Sequence, residues 1–247
     1  MQKSHKKLTQ KFKNKLPSLG ETCFWLFWVL ASIVSSQLFI GYPMLWLLGS
    51  DNFELPIWSA IYSALSYILA LVLIIFIPPK LSQKWATNRE SLGLQNLPTW
   101  TDIGLSPIGF VVGNILALLF AALFSFFPWF DANEAQNIGF TTYLIGGDRI
   151  IAFIALVVIA PIAEETIFRG WLYGKLRAKQ SAPLAILLTS LLFALVHFQW
   201  NVGVNVFALS IVLCGLREIT GTIYAGILTH MLKNGIAFYL LYIIGIS

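Results

Sequence analysis

Charge is scarce in this chain. Asp, Glu, Lys and Arg make up 11% of its residues, against about 25% in soluble domains. With 57% of the residues hydrophobic, a soluble core would need a polar skin that the chain has no material to build, so the composition excludes an ordinary soluble domain. Cysteine is scarcer still. Cys23 and Cys214 lie far apart in apolar segments, which excludes a disulfide framework and a CxxC metal site. No HExxH is present to hold zinc, and no GxSxG elbow offers a serine nucleophile. Internal repeats and low-complexity tracts are lacking as well.

What the chain has is long apolar runs. A helical crossing needs about 20 largely apolar residues, and the stretches 23–48, 57–79, 106–130, 148–172, 183–200, 203–217 and 222–245 meet or approach that length. The expected fold is all-α, a polytopic transmembrane helix bundle of about seven spans around an intramembrane cavity. The segment 203–217 is short enough to be tilted, partial or re-entrant. The first span is too long for a signal-peptide core and ends without a small-residue cleavage site, so it reads as an uncleaved anchor. The chain divides into a basic segment 1–22, an N-terminal region 23–147 with three spans, and a C-terminal region 148–247.

A net charge of +5 and a pI near 9.2 raise the question of nucleic acid, and the distribution answers it. All but three of the 16 Lys and Arg fall in alternate loops. Lys3, Lys6, Lys7, Lys11, Lys13 and Lys15 precede the first span, and Lys80, Lys84 and Arg89 follow the second. Lys175, Arg177 and Lys179 follow the fourth, and Arg217 the sixth. Asp51, Glu54, Asp131, Glu134 and Asp148 occupy the other set. That is the positive-inside pattern of an integral membrane protein with a cytoplasmic N-terminus. No nucleic-acid partner is needed to explain the basicity. The stretch 80–105 mixes Trp, Leu and charges and reads as a segment lying on the cytoplasmic leaflet, with a plain loop as the alternative.

Against this background the polar residues inside spans stand out. "AEETIFRG" (163–170) puts Glu164, Glu165 and Arg169 directly after an apolar run, although a charge at the centre of a membrane helix costs about 2.5–3.5 kcal/mol on insertion scales. His197 interrupts "LLFALVHFQW", and His230, Lys233 and Asn234 interrupt "AGILTHMLKNGIAF". Each alone reads equally well as an interhelical hydrogen-bonding group. Their depths, however, agree. Glu164 and His197 are equidistant from the basic turn at 180–181, roughly 25 Å along their helices at about 1.5 Å per residue. His230 and Asn234 lie roughly 16 and 22 Å from a turn near Ile219. Glu165 and Arg169 share a face at i, i+4, as do His230 and Asn234. Adjacent Glu164 and Glu165 point about 100° apart and cannot do the same job. The reading is that Glu165 pairs with Arg169 while Glu164 faces the cavity, with Pro161 freeing a backbone carbonyl upstream.

A carboxylate, two imidazoles and an amide in one apolar layer suit the activation of water for peptide hydrolysis. Glu164, His197 and His230 are also ligand types of a catalytic zinc site, and nothing local fixes that geometry. The motifs carry a resemblance. "EETIFR" matches EExxxR, "FALVH" (193–197) matches FxxxH and "HMLKN" (230–234) matches HxxxN. In these the chain resembles the CPBP family of intramembrane proteases, which includes the type II CAAX prenyl endopeptidases and Abi-type bacteriocin-immunity proteins. The resemblance covers roughly 148–240 and implies that Glu164 with His197 activates water. It implies that His230 and Asn234 stabilise an oxyanion, and that Glu165 and Arg169 complete the first motif. It also implies a membrane-embedded peptide or protein as substrate, CAAX-type or bacteriocin-like; the compact length and sparse loops point to a bacterial cell membrane. The metal-free glutamate mechanism is carried forward, with zinc as the alternative cofactor. Other readings are a non-catalytic immunity or scaffold protein and, from intramembrane Glu and His, a proton-coupled transporter. The lack of an internal repeat speaks against the last.

The charge bias predicts a cytoplasmic N-terminus and an external C-terminus. Reporter fusions placed after Lys179 and at Ser247 should report opposite sides of the membrane, and finding both on one side would remove one crossing from the count.

Overall fold

The structure, a computed structural model, describes residues 19–128, 130–131, 140 and 144–245. The N-terminal lysines 3–15 and Glu134 lie outside the described residues. Eight α-helices build the described fold: α1 Leu19–Phe53, α2 Pro56–Phe76, α3 Pro78–Leu81, α4 Trp100–Phe124, α5 Gly147–Arg177, α6 Ala182–Leu195, α7 Trp200–Thr220 and α8 Tyr224–Ile244. Six of them, all but α3 and α6, are long and apolar enough to cross a membrane. The ends follow local chemistry. Pro56 starts α2, where its missing N–H is harmless. At the start of α4, Thr99 and Asp102 form a reciprocal capping box. Gly221, at φ +70°, closes α7 in the left-handed conformation that ends many helices.

The positions of long and short helices differ from expectation. The segment 203–217 belongs to the full-length α7 of 21 residues, and the short helix is α6, with 14. α7 begins three residues before 203, at Trp200, and takes in Asn201 and Asn205. In the fold, Asn205 Nδ2 donates back to the Asn201 carbonyl at 3.1 Å, so the amide is satisfied within its own helix. α6 covers only about 21 Å at the usual rise, less than the roughly 30 Å hydrocarbon core. Its chain turns at 196–199, where Phe198 adopts φ +54°. A non-glycine residue in that region is uncommon and marks a backbone held by its surroundings.

α5 is the central element. Residues 167–173 are buried without a break, including Phe168, Arg169, Trp171 and Tyr173, and a helix buried on every side is one enclosed by others. α2 packs along it, α1 covers α2, and α7 lies against α4 and α6 while α8 lies against α4. Among the described residues, the loops that carry Lys84, Lys175, Lys179 and Arg217 meet at one end. Lys84 and Lys179 both pair with Glu21 at 3.3 and 3.1 Å, and Lys175 Nζ donates to the Trp85 carbonyl at 2.7 Å. Arg217 reaches the Gly221 and Ser91 carbonyls. Much of the 80–105 stretch is therefore the loop named as the alternative, packed on the helices. After α3 and a short turn at Gln83–Trp85, residues 86–99 fold back as a loop ahead of α4, with the Gly93 carbonyl accepting from the Ile223 N–H at 3.2 Å.

This loop lies directly on α5. A Cβ at Gly174 would sit 2.8 Å from the Ser91 carbonyl oxygen, and one at Gly170 would sit 3.1 Å from that of Leu92. Backbone cannot swing aside as a flexible side chain can. Gly174→Ala should therefore destabilise by about 1–3 kcal/mol, the usual range for overpacking. The check is the midpoint of thermal unfolding in mild detergent, with Gly215→Ala, whose Cβ meets nothing within 4 Å, as the neutral comparison.

Candidate active site

The polar residues singled out in the sequence lie on α5, on α8 and in the turn after α6. Arg169 Nη1 donates to Glu165 Oε1 at 2.8 Å, and both side chains are buried at 1% and 0% exposure. Arg169 also stacks its guanidinium over the Phe193 ring at 4.3 Å, a cation–π contact of a kind strengthened by desolvation. His230 stands between the two glutamates. Its Nδ1 lies 3.1 Å from Glu165 Oε1 and its Nε2 3.9 Å from Glu164 Oε2. An i, i+4 pair on an exposed helix adds about 0.3–0.5 kcal/mol. Removing one partner from a buried pair costs about 3–5 kcal/mol, because a charge is left without compensation.

Glu164 is in different surroundings. Its side chain keeps 16% exposure where Glu165 keeps none. Oε1 accepts a hydrogen bond from the Tyr67 hydroxyl at 2.5 Å, a length typical of a hydroxyl bonded to a carboxylate. Oε2 is the oxygen turned toward His230. Tyr67 sits on α2 and went unnoticed in the sequence. It stands in the apolar run "SYILALVLIIF", and no spacing rule links it to a residue 97 positions away.

His197 does not sit on a regular helix. α6 ends at Leu195, and the imidazole Nδ1 approaches the Phe193 carbonyl at 2.7 Å. A carbonyl needs a donor, so Nδ1 carries the proton and Nε2 is left as the open nitrogen. His197 thus caps one of the unpaired carbonyls at the helix terminus. Phe193 ties the histidines together. Its ring makes edge contacts with His197 at 4.9 Å, His230 at 6.1 Å and Phe168 at 4.8 Å.

Asn234 is placed by a break in α5. Residues Ile154–Ile159 and Thr166–Leu172 are π-helical, flanking a regular turn at Ala160–Glu165 that carries both glutamates. In the first π segment the Ala160 N–H bonds to the Ala155 carbonyl, five residues back. The next bond in that register would run from residue 161 to Leu156, and Pro161 has no N–H. The Leu156 carbonyl left free accepts from Asn234 Nδ2 at 2.9 Å. One amide hydrogen of Asn234 is so used, and the other remains. Such π turns recur at functional sites.

The donor types of Glu164, His197 and His230 suit zinc. Among the described residues, however, no three His, Cys, Asp or Glu side chains gather as a ligand set. His230 directs Nδ1 to Glu165, and His197 directs Nδ1 to a backbone carbonyl. Both imidazoles are thus held through Nδ1, which leaves each Nε2 facing the site.

Comparison with known proteins bears on this geometry. The family model described as Rce1-like, type II CAAX prenyl endopeptidase, matches residues 146–236, a range that holds all three motifs from Glu164 to Asn234. UPF0177 protein YbdI of Lactococcus lactis subsp. lactis (strain IL1403) is 32% identical over 131 residues, 53% of this chain and 67% of its own length. The chain belongs to the Rce1-like family. A second relative, named "Putative membrane peptidase YdiL", from Bacillus subtilis (strain 168), is 23% identical over 181 residues, 71% of this chain and 69% of its own. No solved structure matches. At family level, this chain is a membrane peptidase embedded through its apolar helices. Tyr67 lies outside the matched range.

The ion pair yields a stability prediction. Glu165→Gln should leave Arg169 without a counter-charge and destabilise by about 3–5 kcal/mol. Arg169→Gln added to that variant should recover much of the loss. Thermal unfolding of both proteins in detergent checks this, and an additive further loss in the double variant would contradict it.

Proposed function

We propose that this protein is an intramembrane endopeptidase in which Glu164 activates water to hydrolyse a peptide bond of a membrane-associated peptide or protein. The observation that carries the reading is the contrast between the two adjacent glutamates. Glu165 is sealed in an ion pair, while Glu164 is partly open with one oxygen turned to His230. A gap of 3.9 Å is too long for a hydrogen bond and suits one bridging water. With Nδ1–H of His230 donated to Glu165, its Nε2 lone pair and Glu164 Oε2 are both acceptors. A water between them donates both hydrogens and presents its lone pair to the substrate.

The steps follow from this placement. The water oxygen attacks the scissile carbonyl while its proton passes to Glu164 Oε2. The remaining amide hydrogen of Asn234 is a donor for the oxyanion. His197, with Nε2 open, assists the proton transfer. Collapse of the tetrahedral species breaks the C–N bond as Glu164 returns the proton to the leaving amine. The proposed hydrolysis passes through no metal. Substrates with one apolar segment fit an active site buried among helices, whether CAAX-type tails or bacteriocin-like peptides. Bacterial relatives and basic loops meeting at one end support a bacterial cell membrane with a cytoplasmic N-terminus.

The test uses purified protein in mild detergent with quenched fluorescent peptides, each carrying one apolar segment. Wild type should cleave at least one, and Glu164→Gln should lower kcat by about 10²–10⁴, the usual contribution of general base catalysis, while unfolding stays near wild type. Turnover should survive removal of zinc. An active Glu164→Gln would overturn the base assignment. Stoichiometric zinc lost in parallel with activity when His197 or His230 is changed would overturn the metal-free mechanism.

A further inference from the structure

We infer that Tyr67 is a positioning residue for this reaction, its hydroxyl pinning one oxygen of Glu164 so that the other is committed to the water. The inference rests on Glu164 being the base. The carboxylate end of a glutamate turns about a broad, roughly two-fold torsion, so a base held only at its Cγ would present either oxygen in many orientations. Here Oε1 is held at 2.5 Å by Tyr67. That leaves Oε2 facing His230 Nε2 at 3.9 Å. The remaining groups around Glu164 do not supply this restraint. Glu165 and Arg169 are engaged with each other, and His197 and Lys233 act on Glu164 only through space.

Tyr67 is itself restrained. Its ring packs against the buried core that includes Trp25, Val29, Ala70, Ile74 and Trp171. α2 is fastened to α1, where Trp28 Nε1 donates to the Leu73 carbonyl at 3.3 Å. The hydroxyl is therefore delivered from a helix that does not belong to the segment matched by the family model, residues 146–236. The active unit of this chain extends into its N-terminal region.

The experiment compares Tyr67→Phe with wild type and with Tyr62→Phe, using the quenched peptide that wild type cleaves. Tyr62 lies on the same helix, its ring against Phe53 at 5.4 Å, and loses the same hydroxyl away from Glu164. Misplacement of a reacting group by about 1 Å can cost about a hundredfold. Tyr67→Phe should therefore lower kcat per folded molecule by about tenfold to a hundredfold, with KM and the unfolding midpoint near wild type. Tyr62→Phe should leave kcat unchanged. In a Glu164→Asp background, whose shorter side chain withdraws from the hydroxyl, Tyr67→Phe should cost far less. Wild-type kcat per folded molecule in Tyr67→Phe overturns the inference, as does an equal loss in Tyr62→Phe or an undiminished loss in the Glu164→Asp background. These outcomes are separable from failure of the base assignment, which is read from Glu164→Gln alone.

Discussion

The buried pair between Glu165 and Arg169 is the constraint on which the rest of the site depends. Both side chains are removed from solvent in an apolar bundle, where an unpaired charge would be costly. Pairing alone leaves polar atoms unanswered: Glu165 Oε2 and the Nε and Nη2 of Arg169 have no hydrogen-bond partner among the described residues. The surroundings adapt to this. Phe193 supplies a ring face to the guanidinium, and His230 brings Nδ1 to the same carboxylate oxygen that Arg169 uses. α8 can approach because Gly226 has no side chain. A Cβ there would stand 2.9 Å from Glu165 Oε2. The pair thus fixes the spacing of α5, α6 and α8, and with it the orientation of the histidine that faces Glu164.

Irregular backbone does the rest of the placing. A continuous α-helix would bond every carbonyl internally and leave none for a neighbour. The π turn ending at Ile159, combined with Pro161, frees the Leu156 carbonyl, and Asn234 is anchored by it. The early end of α6 acts similarly, since it leaves the Phe193 carbonyl for His197 and turns the chain at Phe198. Non-helical backbone at membrane depth is tolerated only where protein or a cavity answers its polar groups. Here the answering groups are the histidine and the asparagine.

Much of this was legible in the sequence, for reasons that can be named. The cost of charge in a bilayer makes Glu164, Glu165 and Arg169 visible against an apolar run, and helical spacing pairs Glu165 with Arg169. The depth arithmetic brought His197, His230 and Asn234 to the glutamates' layer because it needs only helix rise and turn positions. Three things escaped it. The lengths of α6 and α7 were exchanged, because an unbroken apolar run hides where one helix ends and the next begins: the turn lies at 196–199, not at 201–202. The fold-back of 80–105 depends on glycines 170 and 174 admitting backbone on α5, which no periodicity shows. Tyr67 was hidden because an aromatic residue in an apolar run reads as core, and its one distinguishing atom is a hydroxyl whose partner is 97 residues away.

The adjacency of the two glutamates is itself an economical solution to a conflict. A general base must be able to gain and lose a proton, so it cannot be the permanent counter-ion of a buried arginine: each protonation would strand that charge. One carboxylate serving both Arg169 and a water would lose stability at every turnover. Two carboxylates on successive residues separate the duties, because they point about 100° apart on one helix while sharing its rigidity. His230 then connects them, with one nitrogen on the carboxylate paired to Arg169 and the other toward the carboxylate proposed as the base. The stable pair orients the imidazole, and the imidazole orients the site of reaction without drawing Glu164 into the ion pair.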